Sequence, residues 1–197
     1  MDRLKSNINV GNRKSSSTAT VFLICDVQDK FSSIIPEYDR IVKVSARLAE
    51  FATIMGKDYC EVYGTEQYPE KLGPTNAVVK SKIGSAGGNI FSKNDFTMAT
   101  SLPEEIVKNF DNFVIVGLET HICVLQTCLD LKAEGKNVYL CVDGVGSRVE
   151  LDNNTAISRL SDAGIIPTTH ESLIFDILRS KNNPKFREAS SLIKQVL

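Results

Sequence analysis

The sequence predicts a three-layer α/β/α sandwich around a mostly parallel, Rossmann-like sheet of roughly six strands, and three features lead there. Short unbroken apolar runs such as Val21-Phe22-Leu23-Ile24-Cys25 have the pattern of strands buried on both faces. Segments with apolar residues at helical spacing lie between such runs. The two kinds alternate along the chain, as crossover connections between parallel strands require.

The first strand ends in Asp26. From Tyr38 to Met55 the positions Ile41, Val44, Leu48, Phe51 and Ala52 define an apolar helix face, and Gly56 supplies a stop. Further strands are expected near Tyr59 to Tyr63, Ala77 to Val79, Phe113 to Val116 and Val138 to Val142. A helix starting near Thr120 separates the last two. Another runs from about Leu151 to Ala163, after which Gly164 breaks it and Ile165-Ile166 opens a sixth strand. The stretch from Glu66 to Ala99 is irregular and rich in Gly, Asn and Lys, which marks it as a candidate active-site wall.

A length of 197 residues suits one domain, assigned to residues 18–197 after a polar, basic and Ser-rich tail at 1–17. With 42% hydrophobic and 24% charged residues the composition is that of a globular protein. A formal charge of -1, with both signs interspersed, argues against nucleic acid as a partner. No apolar run reaches the roughly 18 residues that a membrane span needs, and no secretory signal is expected. Five cysteines without zinc-type spacing read as free thiols in a reducing compartment, so the cytoplasm is expected. The composition of the tail keeps mitochondrial targeting as the alternative.

Ligands of open parallel sheets bind beyond the carboxyl ends of the strands, and that rim selects Asp26, Gly64-Thr65-Glu66, Gly117-Leu118-Glu119 and Asp143. Cys123 follows Thr120, a residue type favoured as an N-cap, and so falls in the first turn of a helix. There, unpaired N–H groups and the helix dipole favour thiolate and could hold an oxyanion. Each residue also has a plainer reading: Cys123 as a packed core thiol, Asp26 as a turn residue, Lys93 as a solvated lysine. Four of the thiols, Cys25, Cys60, Cys128 and Cys141, sit in apolar stretches and read as core.

Taken together these residues say more. Asp26 after the first strand, Lys93 within Phe91-Ser92-Lys93-Asn94-Asp95-Phe96, and Gly117-Leu118-Glu119-Thr120-His121-Ile122-Cys123-Val124 closely resemble the isochorismatase-like cysteine hydrolases. Asp143 and Ser147-Arg148 extend the match. Glu66-Gln67-Tyr68-Pro69 and Pro184-Lys185-Phe186 are most similar to eukaryotic isochorismatase domain-containing proteins. The resemblance implies Cys123 as nucleophile, Asp26 as proton acceptor and donor, and Lys93 as the stabiliser of negative charge. It also implies a cis peptide at Leu118–Glu119, an oxyanion site from the backbone N–H groups of Ile122 and Cys123, and substrate contacts from Gln28 and Phe96.

The metal-binding Asp-x-His of related nicotinamidases has no counterpart in Gly64-Thr65-Glu66-Gln67, and the two histidines, His121 and His170, lie elsewhere. No metal and no cofactor are therefore expected. The function expected is hydrolysis of a small amide or ester through a Cys-Asp-Lys triad and a thioester-type intermediate, by a homo-oligomer acting on a small-molecule substrate. The alternative is a non-catalytic binding or scaffold member of the same fold family.

Overall fold

In the computed structural model, residues 19–194 are described; the tail at 1–17 lies outside them. Six parallel strands form one sheet in the order β3-β2-β1-β4-β5-β6. They are β1 (Thr20–Cys25), β2 (Cys60–Gln67), β3 (Ile90–Lys93), β4 (Asn112–Leu118), β5 (Asn137–Gly146) and β6 (Ile166–Thr168). Chain order reverses between β1 and β4, which makes their carboxyl ends the topological switch point where such sheets bind ligands.

Side-chain alternation along the central strands feeds two cores. Phe22 and Ile24 of β1, with Val114 and Val116 of β4, face one layer. That layer holds α1 (Tyr38–Met55), α3 (Ala77–Ser85), α7 (His170–Leu178) and α8 (Phe186–Ile193). Val21, Leu23 and Cys25, with Phe113 and Ile115, face the opposite layer. There lie α4 (Glu104–Asn109), α5 (Leu125–Ala133) and α6 (Glu150–Asp162). The short helix α2 (Pro69–Leu72) sits on the rim after β2. The helix expected from Tyr38 to Met55 forms over those residues and ends at Gly56, whose φ of 81° suits glycine.

Two expectations fail in the middle of the chain. Ala77-Val78-Val79 is not a strand but the first turn of α3, because the Asn76 side chain accepts hydrogen bonds from the N–H groups of Val78 and Val79 and caps a helix there. The third strand comes later, at Ile90–Lys93, inside the segment read as irregular. Gly88 permits this: a Cβ on it would stand 2.0 Å from the Val62 carbonyl oxygen. Asp143, expected at the end of the fifth strand, lies within β5, which continues to Gly146.

Candidate active site

β1 ends with a break in geometry that decides where Asp26 points. Asp26 has φ of 52°, in the left-handed region that few non-glycine residues occupy. A regular strand would send Cys25 and Asp26 to opposite faces. The left-handed turn instead brings the carboxylate round beside the Cys25 sulfur, with Cys25 Sγ 3.5 Å from Asp26 Oδ2. On β2, in register with Cys25, Thr65 donates its hydroxyl to Asp26 Oδ1 at 2.8 Å.

Lys93 ends β3 and reaches across β2 to the same carboxylate. Its Nζ lies 2.8 Å from Asp26 Oδ2, and both side chains are almost fully buried. The ammonium also donates to the carbonyl oxygens of Asp95, at 3.1 Å, and Phe96, at 2.9 Å, and to Gln67 Oε1. A buried charge pair is tolerated when its remaining hydrogen-bonding capacity is met, and here it is. Burial pulls the Lys93 ammonium toward neutrality, but the facing groups of Cys25, Asp26 and Cys123 outweigh it and hold Lys93 above the ordinary lysine range.

Cys123 lies on a turn of π-helix, Thr120–Val124, that precedes α5. The sulfurs of Cys25 and Cys123 and a carboxylate oxygen of Asp26 all lie within 4.8 Å of one another. Cys123 is 7% exposed and Cys25 fully buried. Burial, the Cys123 contact and the Asp26 charge push the Cys25 thiol well above its usual range. Thr127 ties the turn to the loop that holds Lys93: its hydroxyl donates to the Cys123 carbonyl at 2.7 Å and accepts from Met98 N–H at 2.9 Å.

β4 approaches β1 closely at the switch point because Gly117 pairs with Cys25. A Cβ on Gly117 would lie 2.1 Å from the Cys25 carbonyl oxygen, and its φ is 134°. The chain then turns at Glu119, which is left-handed with φ of 55°. The cis peptide expected at Leu118–Glu119 is absent: the described residues contain no cis bond, and the turn is made by Gly117 and Glu119 in left-handed conformations. Glu119 is held by Arg148, Nε to Oε1 at 2.8 Å, while His121 Nδ1 lies 3.0 Å from Ser147 Oγ.

Other expected roles also change. Thr120 is not the N-cap; its hydroxyl is engaged with Asn153 Oδ1 at 2.7 Å. Ile122 N–H, expected to face an oxyanion, donates to the Glu119 carbonyl at 2.9 Å because the turn closes on itself. Gln28 is not placed to contact substrate: it is fully buried and its amide is consumed by Gln67 and Gly73. It fastens the β2 loop from below. The ring of Phe96 is half exposed beside the site, while its carbonyl is what Lys93 uses. Glu66 Oε1 accepts from Thr75 N–H at 2.7 Å.

The sequence assigns no role to Cys25, Gln67 or Thr127, and it puts Thr65 on the rim without naming its partner. Thr65 and Gln67 could have been found from parallel register, since Thr65 of β2 lies level with Cys25 beside Asp26 and Gln67 lies level with Lys93 of β3. Cys25 had no such signal, because alternation assigns it to the opposite face from its neighbour.

The model of the isochorismatase domain matches residues 20–172, which span every strand and the whole cluster just described. The chain belongs to the isochorismatase family. Isochorismatase domain-containing protein 2A of Mus musculus is 34% identical over 179 residues, covering 90% of this chain and 84% of the relative. A solved structure described as MAR1 ribonuclease from Caenorhabditis elegans superposes with a TM-score of 0.83 at 36% identity, covering 92% of each chain. An octameric hydrolase of unknown specificity from Escherichia coli shares the isochorismatase fold, with a TM-score of 0.75 at 19% identity over 92% of this chain and 90% of its own.

Proposed function

We propose that this isochorismatase-family chain is a cysteine-dependent hydrolase of small amides or esters, with Cys123 as nucleophile, Asp26 as acid–base group and Lys93 as its cationic partner. The observation that carries the reading is the convergence of the Cys123 sulfur, a buried carboxylate and a buried ammonium at the switch point of the sheet.

Asp26 takes the proton of Cys123, and the sulfur attacks the carbonyl carbon to form the C–S bond. The oxyanion that develops meets the Cys123 N–H and the field of Lys93. Ile122 N–H joins only by sharing its bond to Glu119. As the tetrahedral species collapses, Asp26 passes the proton to the departing amine or alcohol, leaving a thioester on Cys123. Water then attacks the thioester, Asp26 accepts its proton, and the proton returns to the sulfur as the acid leaves. Phe96, half exposed and bonded to Lys93 through its carbonyl, offers a face for an apolar part of the substrate.

Wild type and Cys123→Ala, assayed over a panel of small amides and esters with intact-mass detection of an acyl adduct, test the reading. Turnover with an adduct confined to Cys123 supports it. Equal turnover by the variant overturns it, and a panel that binds without turnover supports a binding or scaffold role. The description of the C. elegans relative brings RNA into the panel, and cleavage of RNA with no acyl adduct would replace this mechanism with phosphodiester chemistry. The octameric E. coli relative supports assembly with further copies of the chain, which light scattering measures.

A further inference from the structure

Cys25 has no part in the acyl-transfer scheme, yet its sulfur is as close to Asp26 as a reacting group. Among the described residues, Cys25, Asp26 and Cys123 are the one group of His, Cys, Asp or Glu side chains, three or more, whose donor atoms converge this tightly, all within 4.8 Å. From this geometry we infer that the triad end of the sheet is a site for a thiophilic divalent cation, Zn²⁺, bound by Cys25 Sγ, Cys123 Sγ and an Asp26 oxygen, which blocks the nucleophile when occupied.

The distances fit. Tetrahedral zinc with Zn–S of about 2.3 Å and Zn–O of about 2.0 Å has an S···O edge of about 3.5 Å. Cys25 Sγ and Asp26 Oδ2 are 3.5 Å apart before any metal enters. The remaining pairs, at no more than 4.8 Å, close onto the metal by about an ångström of side-chain adjustment at Cys123, the less deeply buried of the two thiols. Three protein ligands leave a fourth position for water, as in other zinc centres of that kind.

The charges also fit. Zinc binds sulfur as thiolate, so any proton still carried by either thiol passes to solvent as the two S–Zn bonds form. Two thiolates and one carboxylate then balance the divalent cation and the Lys93 ammonium, so the buried site stays neutral. Lys93 keeps its bonds to Asp95 O, Phe96 O and Gln67 Oε1 and orients the Asp26 carboxylate from outside, as neighbouring groups do for metal ligands. Gly117 is part of the design, because any side chain there would displace Cys25. The soft donor pair selects Zn²⁺ over Mg²⁺ or Ca²⁺, which prefer oxygen.

The test uses the full chain, reduced and stripped with chelator, titrated with Co²⁺ as a spectroscopic substitute and then with Zn²⁺. One equivalent of Co²⁺ is expected to produce near-ultraviolet thiolate-to-cobalt charge transfer with the visible bands of tetrahedral cobalt, both erased by Zn²⁺. Cys25→Ser and Cys123→Ser should each lose about half of the charge-transfer absorption and bind Zn²⁺ at least about 10-fold more weakly, since even partners behind the ligands matter that much. Cys128→Ser, a buried thiol of the same layer, should match wild type. In wild type, one equivalent of Zn²⁺ should shield Cys123 from iodoacetamide, read by peptide mass, which does not depend on any variant folding.

Absence of charge transfer, its full persistence in Cys25→Ser, or alkylation of Cys123 undiminished by Zn²⁺ overturns the inference. The outcome is independent of the hydrolase reading. A failed cobalt titration leaves turnover by Cys123 untouched, and an inactive panel leaves the metal spectrum untouched.

Discussion

Two clusters in this molecule contain nearly the same chemical parts. At the switch point stand a thiol, a carboxylate and an ammonium: Cys123, Asp26 and Lys93. On the α1/α7 side stand Cys141, Asp143, His170 and Arg47. Cys141 Sγ lies 3.1 Å from Asp143 Oδ1, His170 Nδ1 lies 2.6 Å from Asp143 Oδ2, and Arg47 Nη1 lies 3.0 Å from His170 Nε2. A guanidinium can only donate, so His170 Nε2 accepts and Nδ1 carries the proton given to Asp143.

The difference between the clusters lies in the backbone and not in access, since the Asp143 side chain is more exposed than that of Asp26. Cys141 is wholly buried, and burial followed by the Asp143 charge pushes its thiol well up. Asp143 also accepts from His170 N–H at 2.9 Å, so the carboxylate caps α7 and docks that helix on β5. None of Cys141, Asp143, His170 and Arg47 has positive φ, whereas Asp26 and Glu119 on either side of the first cluster are both left-handed. Residue types alone therefore do not mark a site. What sets the first cluster apart is left-handed backbone at the reversal of strand order.

The sharpest way to break this comparison is to remove each sulfur. Cys123→Ala should lower turnover of a responsive amide or ester by about 10⁴-fold or more, as loss of a nucleophile does, while Cys141→Ala leaves kcat/KM unchanged in the same assay. Equal losses from the two variants would erase the distinction.

Removing the cation of the first cluster comes next. Lys93→Met strands the buried Asp26 carboxylate and should cost about 3–5 kcal/mol, read from urea midpoints. The double variant Asp26→Asn/Lys93→Met should recover part of that loss. A Lys93→Met protein as stable as wild type would show that the pair is solvated. Asp26→Asn should cut turnover by about 10²-fold, the scale of a positioned acid–base group, while the protein stays folded by circular dichroism.

The smallest effect separates the clusters by pH. Lys93 is held above the ordinary lysine range, so its contribution to stability is complete below that range and disappears as pH rises through the folded value. Asp143 is held below the usual carboxylate range: burial opposes this, but hydrogen bonds from His170 and Cys141 prevail. Its contribution is present above the ordinary aspartate pKa of about 3.9 and is lost as pH falls through the lower folded value. Asp143→Asn should therefore cost about 1–2 kcal/mol at neutral pH and flatten the acid limb of melting temperature against pH, leaving the alkaline limb as in wild type. Flattening of the alkaline limb instead would mean that the assignment of the two clusters is reversed.

The sequence alone determined the order of strands and helices wherever hydrophobic patterning was unambiguous. Apolar runs bounded by polar residues marked β1 and β4 and helical spacing marked α1, because burial on one face or two leaves a periodic trace, while Asp26, Lys93 and Cys123 were brought together only by the family resemblance that their motifs carry. It misread Ala77-Val78-Val79, where a short apolar run fits either state and the Asn76 cap prevailed. Only the tertiary structure decided what meets what. The left-handed turn at Asp26 defeats alternation and brings Cys25 into the site, parallel register delivers Thr65, and the closure of the Cys123 turn engages Ile122. Gln28 likewise became a loop fastener once burial consumed its amide. Those outcomes depend on contacts between residues far apart in the chain, and local periodicity carries no record of them.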